Sequence, residues 1–286
     1  MTPGMTMTTI LPARHRGPRR KPGHAPLVGQ SFGALALLLV AACATGPSRP
    51  PVGATEPDKF LFERGTESLT DRKWLTSREY FRQIVDSYPQ SPYRADAKLG
   101  IGDSYLGEGT TEAKVLAINE FREFLTFYPT HPRADYAQFK LAMAHHSQML
   151  AAQRDQTETK ETIREFGIFI ERYPNSSLMD EARARLREAK DRLSESDYRV
   201  GLFYFRAKWY PGAIDRFKAV LDRDPEYSFR DTVYFHLAES LIRIDRPAEA
   251  LPYLERLVEE FEQSEHLEDA KRRILELKRG HDEPTH

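Results

Sequence analysis

Four times along this chain a Phe stands eight residues before a Pro: Phe81 and Pro89, Phe121 and Pro129, Phe166 and Pro174, Phe217 and Pro225. Successive Phe residues lie 40, 45 and 51 positions apart. The clearest copy covers residues 194–225, with Gly201, Tyr204, Ala213, Phe217, Val220 and Pro225 at fixed offsets. Each residue type has a physical reason to be there. Two helices cross closely only where Gly or Ala removes side-chain bulk. The Phe of the second helix fills the space between one pair and the next. Pro stops that helix because it cannot donate the helical bond.

This pattern resembles the tetratricopeptide repeat (TPR), a helix-turn-helix unit of about 34 residues. The longer spacings imply longer helices or loops. A fifth copy runs over 231–262, with Ala238, Ala250, Leu254 and Leu257 in the matching slots and Glu262 where the Pro would stand. The expected fold is all-α: a helical solenoid of about five repeats with a C-terminal capping helix. A solenoid's core grows with repeat number, so 286 residues need not divide into compact globules.

The first 42 residues read as a lipoprotein signal peptide outside this fold. Arg14, Arg16, Arg19, Arg20 and Lys21 precede the uncharged run at 31–42, which is shorter than the roughly 20 apolar residues of a spanning helix. Val40-Ala41-Ala42-Cys43 resembles a bacterial lipobox. That resemblance implies a lipid on Cys43 and a mature chain starting there. Ala44 follows, where an Asp retains enterobacterial lipoproteins in the inner membrane, and by that analogy the anchor is in the outer membrane, facing the periplasm. Cys43 is the single cysteine, so no intrachain disulfide can hold the fold. Without the five basic residues of the leader, the 42 Lys and Arg become 37 against 43 Asp and Glu, about −6. A mildly acidic body argues against a nucleic-acid stripe.

Residues 43–57, rich in Pro, Gly, Ser and Thr, are predicted as the lipidated cysteine and a flexible tether. Repeats 1–3 occupy 58–177. Gly65 and Ser77 take the packing slots of the first. Gly102 sits at the helix crossing of the second, with Gly107 and Gly109 in its turn. A polar insertion lies around 153–159 of the third. Repeats 4 and 5 and the cap helix occupy 178–280, beginning with one long helix over 178–208. Residues 281–286 are expected to form a disordered tail.

No GxSxG, HExxH, CxxC or Walker A pattern is present, and the Gly-rich stretches of repeat 2 fit neither nucleotide register. His145 and His146 are adjacent, point about 100° apart on a helix, and cannot share an ion. The expectation is a protein without catalytic residues, cofactor or metal.

The order of lipobox and five repeats, with the stretches QRDQT (153–157), YPNSSLMDEA (173–182) and VGLFYFRAKWYPGAIDRF (200–217), resembles the BamD (YfiO/ComL) lipoprotein family over about 58–262. The resemblance implies a non-enzymatic scaffold of the β-barrel assembly machine. Its partners would be the POTRA part of BamA, other Bam subunits and unfolded outer-membrane proteins, the first bound by C-terminal repeats and the last by N-terminal ones. The alternative is a TPR pilotin or assembly lipoprotein of a secretin or type IV pilus, or another periplasmic TPR adaptor.

In TPRs the groove is lined by helix A positions 2, 5, 9 and 12. Repeat 1 then offers Lys59, Phe62, Thr66 and Leu69, repeat 2 Asp96, Leu99, Asp103 and Leu106, and repeat 3 Tyr136, Phe139, Met143 and His146. This apolar and aromatic set suits an extended segment ending in an aromatic residue, with Lys59 meeting a terminal carboxylate. Charges left outside the repeat slots, Arg187, Lys190, Arg223 and Asp224, are the expected BamA contacts.

Overall fold

The computed structural model describes residues 49–50, 52–53 and 55–282. Among these residues there are eleven helices and no strand. They are α1 (Pro57–Thr70), α2 (Trp74–Ser87), α3 (Arg94–Glu108), α4 (Thr111–Phe127), α5 (Ala134–His146), α6 (Thr157–Arg172), α7 (Met179–Arg206), α8 (Tyr210–Arg223), α9 (Arg230–Arg243), α10 (Pro247–Glu260) and α11 (Leu267–Asp282). Odd-numbered helices act as helix A and even-numbered ones as helix B. Each packs on its neighbours in sequence, and successive A helices also touch.

The predicted slots hold the stack together. Phe81 is buried between two A helices: a Cβ on Gly65 of α1 would lie 2.6 Å from its ring, and one on Gly100 of α3 only 2.4 Å. Ser77 donates to the Gly65 carbonyl at 2.9 Å. Phe121, Phe166 and Phe217 are equally buried, as are Ala238, Ala250, Leu254 and Leu257 of the fifth copy. Gly107 departs from its predicted place. It lies in the last turn of α3 against the Trp74 ring, and Gly109 alone makes the left-handed cap.

Two kinds of turn recur. The turns after α1, α7 and α9 put Arg72, Lys208 and Asp245 at φ 59°, 60° and 60°. The next amide donates back five residues in each: Lys73 to Ser68, Trp209 to Tyr204 and Arg246 to Leu241. These are Schellman-type ends. The turns between repeats cap on Tyr88, Tyr128, Tyr173, Asp224 and Phe261. In the fifth, Phe261 still donates to Leu257 although no Pro follows, so packing and the cap bond end α10 without it.

The helix α7 spans 28 residues, about 42 Å at the helical rise. Its first part packs Met179 and Ala182 against Phe166 and Phe169 of α6, and its second part pairs with α8. Aspartates near the starts of A helices accept from serines in the following inter-repeat turn: Asp135 from Ser176 at 2.6 Å and Asp231 from Ser264 at 2.6 Å. Asp191, inside α7, accepts from Ser228 in the same way at 2.7 Å. The helix A of repeat 4 therefore begins in mid-helix near Asp191, and the residues before it form an added stretch. That stretch accounts for the 51-residue spacing before Phe217.

The polar insertion is the loop 147–156, and Thr157 to Thr159 already belong to α6. Its Gln156 side chain bonds the carbonyls of Ala151 and Arg154 and accepts from Thr159. The cap helix α11 is tied on by Arg273 to Glu239 of α9, at 2.6 and 3.1 Å. It runs through Asp282, so the predicted tail boundary at 281 falls inside helix. Residues 283–286, the leader and Cys43 lie outside the described residues.

Candidate functional site

Four of the predicted groove residues meet in one place. Tyr136, Phe139 and Met143 of α5 join Leu106 of α3, Leu178 and Glu181 at the start of α7, Lys140 and Ser147 around a concavity of about 450 Å³. Their spacing along α5 puts them on one helix face. Leu106, Met143 and Leu178 are half-buried. Phe139 is 5% exposed and packs edge-on against Phe166 and Phe169, each at 5.8 Å, so it forms the floor of the concavity.

One wall of the concavity is polar and fixed. The Tyr136 hydroxyl donates to both Asp103 oxygens at 2.9 Å. Arg133 lies 4.5 Å from the Tyr136 ring centre, Lys140 5.3 Å from it, and Lys140 also approaches Asp103 to 4.0 Å. Burial pushes the Asp103 carboxyl above its usual range against the pull of Lys140, Tyr136 and Arg133. Burial, with Asp103 beside it, pushes the Tyr136 hydroxyl up as well. Asp103 thus orients Tyr136 and leaves Lys140 as the cation on the wall.

The other predicted groove residues are placed differently. Leu99 has no exposed surface and belongs to the N-terminal core, so it cannot line a groove. Its position on α3 faces neighbouring helices. Phe62 stacks on Tyr93 at 5.0 Å, Leu69 packs against the same core, and exposed Thr66 donates to the Phe62 carbonyl. None of these α1 residues lines the concavity. Lys59, given the carboxylate in the sequence reading, is tied to Glu56 at 3.3 Å. His146 bridges from α5 to Glu188 of α7 at 3.1 Å.

His145 points away from His146, as helix geometry requires. It is buried, with Nδ1 2.7 Å from Glu158 and Nε2 3.2 Å from Arg122. His145, Glu161 and Glu165 offer atoms within 4.8 Å of one another. Two guanidinium groups already serve this cluster: Arg164 lies 2.6 Å from each carboxylate, and Arg122 lies 3.9 and 3.8 Å away. The arrangement is an ion-pair network joining α4, α5 and α6.

The four charges expected to meet BamA divide into two kinds. Arg187 and Asp224 satisfy each other through a two-point pair, and Ser194 donates to Asp224 at 2.6 Å. Burial would raise the Asp224 carboxyl, but the Arg187 and Ser194 hydrogen bonds outweigh it and hold it below its usual range. Asp224 is 9% exposed, so this pair fastens α7 to the end of α8 and is not a free charged surface. Arg223 is exposed and reaches Asp197 at 2.8 Å. Lys190 is half-buried and makes no ion pair among the described residues. Sequence reasoning missed an apolar patch at the α7–α8 corner, where Val200, Phe203 and Trp209 are 40%, 68% and 57% exposed. Its signal was Val200 and Phe203 one helical turn apart, outside the packing slots.

Helix pairs with these slots and turns define a tetratricopeptide-repeat solenoid, and residues 232–264 match that repeat family. The chain belongs to the YfiO family, described as outer membrane lipoproteins, whose pattern it matches over residues 54–243. It is 29% identical over 213 residues to an outer membrane protein assembly factor BamD of Caulobacter vibrioides, covering 74% of this chain and 68% of that one. It is 26% identical to the BamD of Vibrio cholerae over 64% of this chain and 78% of that one. Among solved structures, the TPR2AB-domain:pHSP90-complex of yeast Sti1 aligns with a TM-score of 0.46 and 14% identity, over 78% of this chain and 83% of that chain.

Proposed function

We propose that this lipoprotein is an outer-membrane protein assembly factor that works as a scaffold and performs no catalysis. Lipid on Cys43 holds it to the membrane, and its N-terminal repeats receive unfolded barrel proteins. The concavity between α3, α5 and α7 carries this reading. Leu106, Phe139, Met143 and Leu178 offer an apolar seat for an aromatic side chain, and Lys140 replaces Lys59 as the cation for a terminal carboxylate. The C-terminal repeats dock the POTRA part of BamA, with Val200, Phe203 and Trp209 as apolar anchors and Lys190 and Arg223 as polar contacts. Exposed aromatic residues are frequent anchors of such interfaces. Membership in a lipoprotein family and the names of the relatives support the reading.

A peptide copying a barrel protein's last strand tests the groove. It should crosslink to a photoreactive residue at Met143 and not to one at Tyr253. Lys140→Gln should weaken capture of the free acid and leave its C-terminal amide unaffected. Equal capture of a peptide lacking its terminal aromatic would end the groove assignment. For the docking end, Phe203→Glu should reduce co-purification of BamA while the thermal midpoint holds. Normal outer-membrane fractionation of Cys43→Ala would remove the lipid anchor from the proposal.

A further inference from the structure

Two concavities on the helix B side occupy equivalent places in the solenoid. One, of about 350 Å³, lies between α2 and α4 over the start of α3, with Val85, Arg94, Lys98, Glu123, Phe127 and Tyr128 around it. The other, of about 310 Å³, lies between α8 and α10 over the start of α9, with Leu221, Arg230, Tyr234 and Arg256 in its walls. Their positions correspond. Arg94 and Arg230 are the first residues of α3 and α9. Val85 and Leu221 stand three residues before the caps Tyr88 and Asp224. Glu123 and Arg256 stand five before the caps Tyr128 and Phe261.

The copies differ at three matched positions: Lys98 stands where Tyr234 does, Glu123 where Arg256 does, and, just before the second cap, Phe127 where Glu260 does. Glu260 reaches Arg230 at 3.5 Å and Arg256 at 2.9 Å. Phe127 can supply no such carboxylate. Arg94 accordingly donates to neutral acceptors, the Val85 carbonyl at 3.2 Å and the Tyr128 hydroxyl at 3.0 Å, and makes no ion pair among the described residues. Lys98 does not share its need, being held by Glu120 and Glu123 at 2.8 and 2.6 Å. Phe127 itself is 65% exposed. A half-buried guanidinium without a carboxylate, beside an exposed aromatic ring, is complementary to an acidic and apolar ligand.

We propose that the α2–α4 concavity docks a segment of another protein in which Asp or Glu adjoins a large apolar residue. The incoming carboxylate takes the place on Arg94 that Glu260 takes on Arg230, and the apolar neighbour covers Phe127. The site shares no residue with the concavity between α3, α5 and α7, so it stands or falls independently of the substrate reading.

The test uses the full chain in its native envelope with a photoreactive residue at Glu123. A discrete adduct should form with a different protein, and mass spectrometry should place the captured carbon within two residues of an Asp or Glu. Arg94→Gln should reduce that adduct by about tenfold or more, as loss of a partner to a desolvated charge does. Phe127→Glu should do the same by giving Arg94 an internal carboxylate, with a thermal midpoint no lower than wild type. As a surface change it decides the matter if Arg94→Gln disturbs the fold. No adduct, an adduct unchanged in Phe127→Glu, capture of a segment without acidic residues, or capture of a second copy of this chain would each overturn the proposal.

Discussion

The A helices meet one another in two different ways. In the N-terminal half, α3, α5 and the start of α7 leave an apolar space bounded by Leu106, Phe139, Met143 and Leu178. In the C-terminal half, rings crowd between α7, α9 and the turn before α11. Phe205 lies 5.2 Å from His236, Tyr198 5.8 Å from it, and His266 stacks on Phe235 at 4.4 Å. The repeat plan is the same, so the difference lies in side chains and not in topology. Flexible aliphatic groups on spaced helices leave room for a ligand, and Met adapts to varied partners. Interlocked rings make a stiffer end, suited to holding one orientation against a fixed neighbour.

Removing a ring that underlies the closed half should have the largest effect. Phe217 has no exposed surface, lies 5.6 Å from Tyr198, and fills the space a Cβ on Gly201 would enter at 2.6 Å. Phe217→Ala should cost about 3–5 kcal/mol. Phe166→Ala should cost a similar amount, because Phe166 is equally buried under Phe139. The two should separate on binding. Phe166→Ala loosens the floor of the concavity and should weaken peptide capture at Met143, whereas Phe217→Ala should leave capture unchanged at temperatures where it stays folded. Denaturant titration and the crosslinking assay read both. Equal loss of capture would mean the two halves do not act separately.

Cutting the fastening between α7 and α8 should come next. Asp224→Ala removes the acceptor of both Arg187 and Ser194 and leaves a guanidinium without its main partner. A loss of about 1.5–3 kcal/mol is expected, the range for hydrogen bonds to charged groups. Arg187→Met added to Asp224→Ala should recover part of it, since the half-paired guanidinium is gone and Asp191 keeps its bonds from Ser228. A double variant less stable than Asp224→Ala would show that Arg187 acts mainly through Asp191, which it also meets at 2.9 Å.

Much of this architecture was legible because its determinants are local. Phe81, Phe121, Phe166 and Phe217 recur at one distance from a helix stop, and small residues face them at fixed offsets. Such signals survive in sequence because each repeat must solve the same packing problem. The candidate site was legible only in part. A helix A face is apolar whether it meets the core, as Leu99 does, or a concavity, as Met143 does, and periodicity cannot separate the two. Leu178 and Glu181 complete the site from beyond the predicted groove because α7 carries an added stretch. Arg187 and Asp224 looked like surface charges because 37 positions separate the partners in sequence. The α2–α4 concavity emerges only when Phe127 is set against its structural counterpart Glu260.

A smaller effect should distinguish the halves by pH. Burial lowers the pKa of His236, and the nearby His266 and Arg206 lower it further. The Thr232 carbonyl, which accepts from Nδ1 at 2.9 Å, and Glu239 oppose the shift. Tyr198 faces the same nitrogen at 3.3 Å, and the rings of Phe205, Phe217 and Phe235 close the remaining sides. The folded pKa is therefore below the unfolded value of about 6.5. The stabilisation is full above that value and is lost as pH falls through the folded pKa, because the unfolded chain takes up the proton first. Thermal midpoints at pH 7.5 and 5.5 should show a smaller drop in His236→Phe than in wild type. An unchanged drop would place the acid sensitivity elsewhere.

The smallest effect concerns the turns that join helix A to helix B in each half. Arg72, Lys208 and Asp245 hold left-handed backbone at φ near 60°, and the turn after α3 uses Gly109 at 75°. A β-carbon there costs roughly 1–2 kcal/mol. Replacing it with Gly relieves that strain but adds freedom to the unfolded chain, worth about 0.5–1 kcal/mol against folding. Lys208→Gly should therefore stabilise by about 0.5–1 kcal/mol, with the bond from Trp209 to Tyr204 kept at 3.0 Å. Arg72→Gly in the N-terminal half should match it, since its turn has the same back-bond from Lys73 to Ser68 at 2.8 Å. Asp245→Gly should give less, because a short polar side chain tolerates this conformation better than Lys or Arg. The order Lys208 and Arg72 above Asp245, read from denaturation midpoints, would show that these turns obey one rule in both halves. A gain confined to Lys208 would instead point to the aromatic corner, where Trp209 packs over Gly212, as the source of the strain.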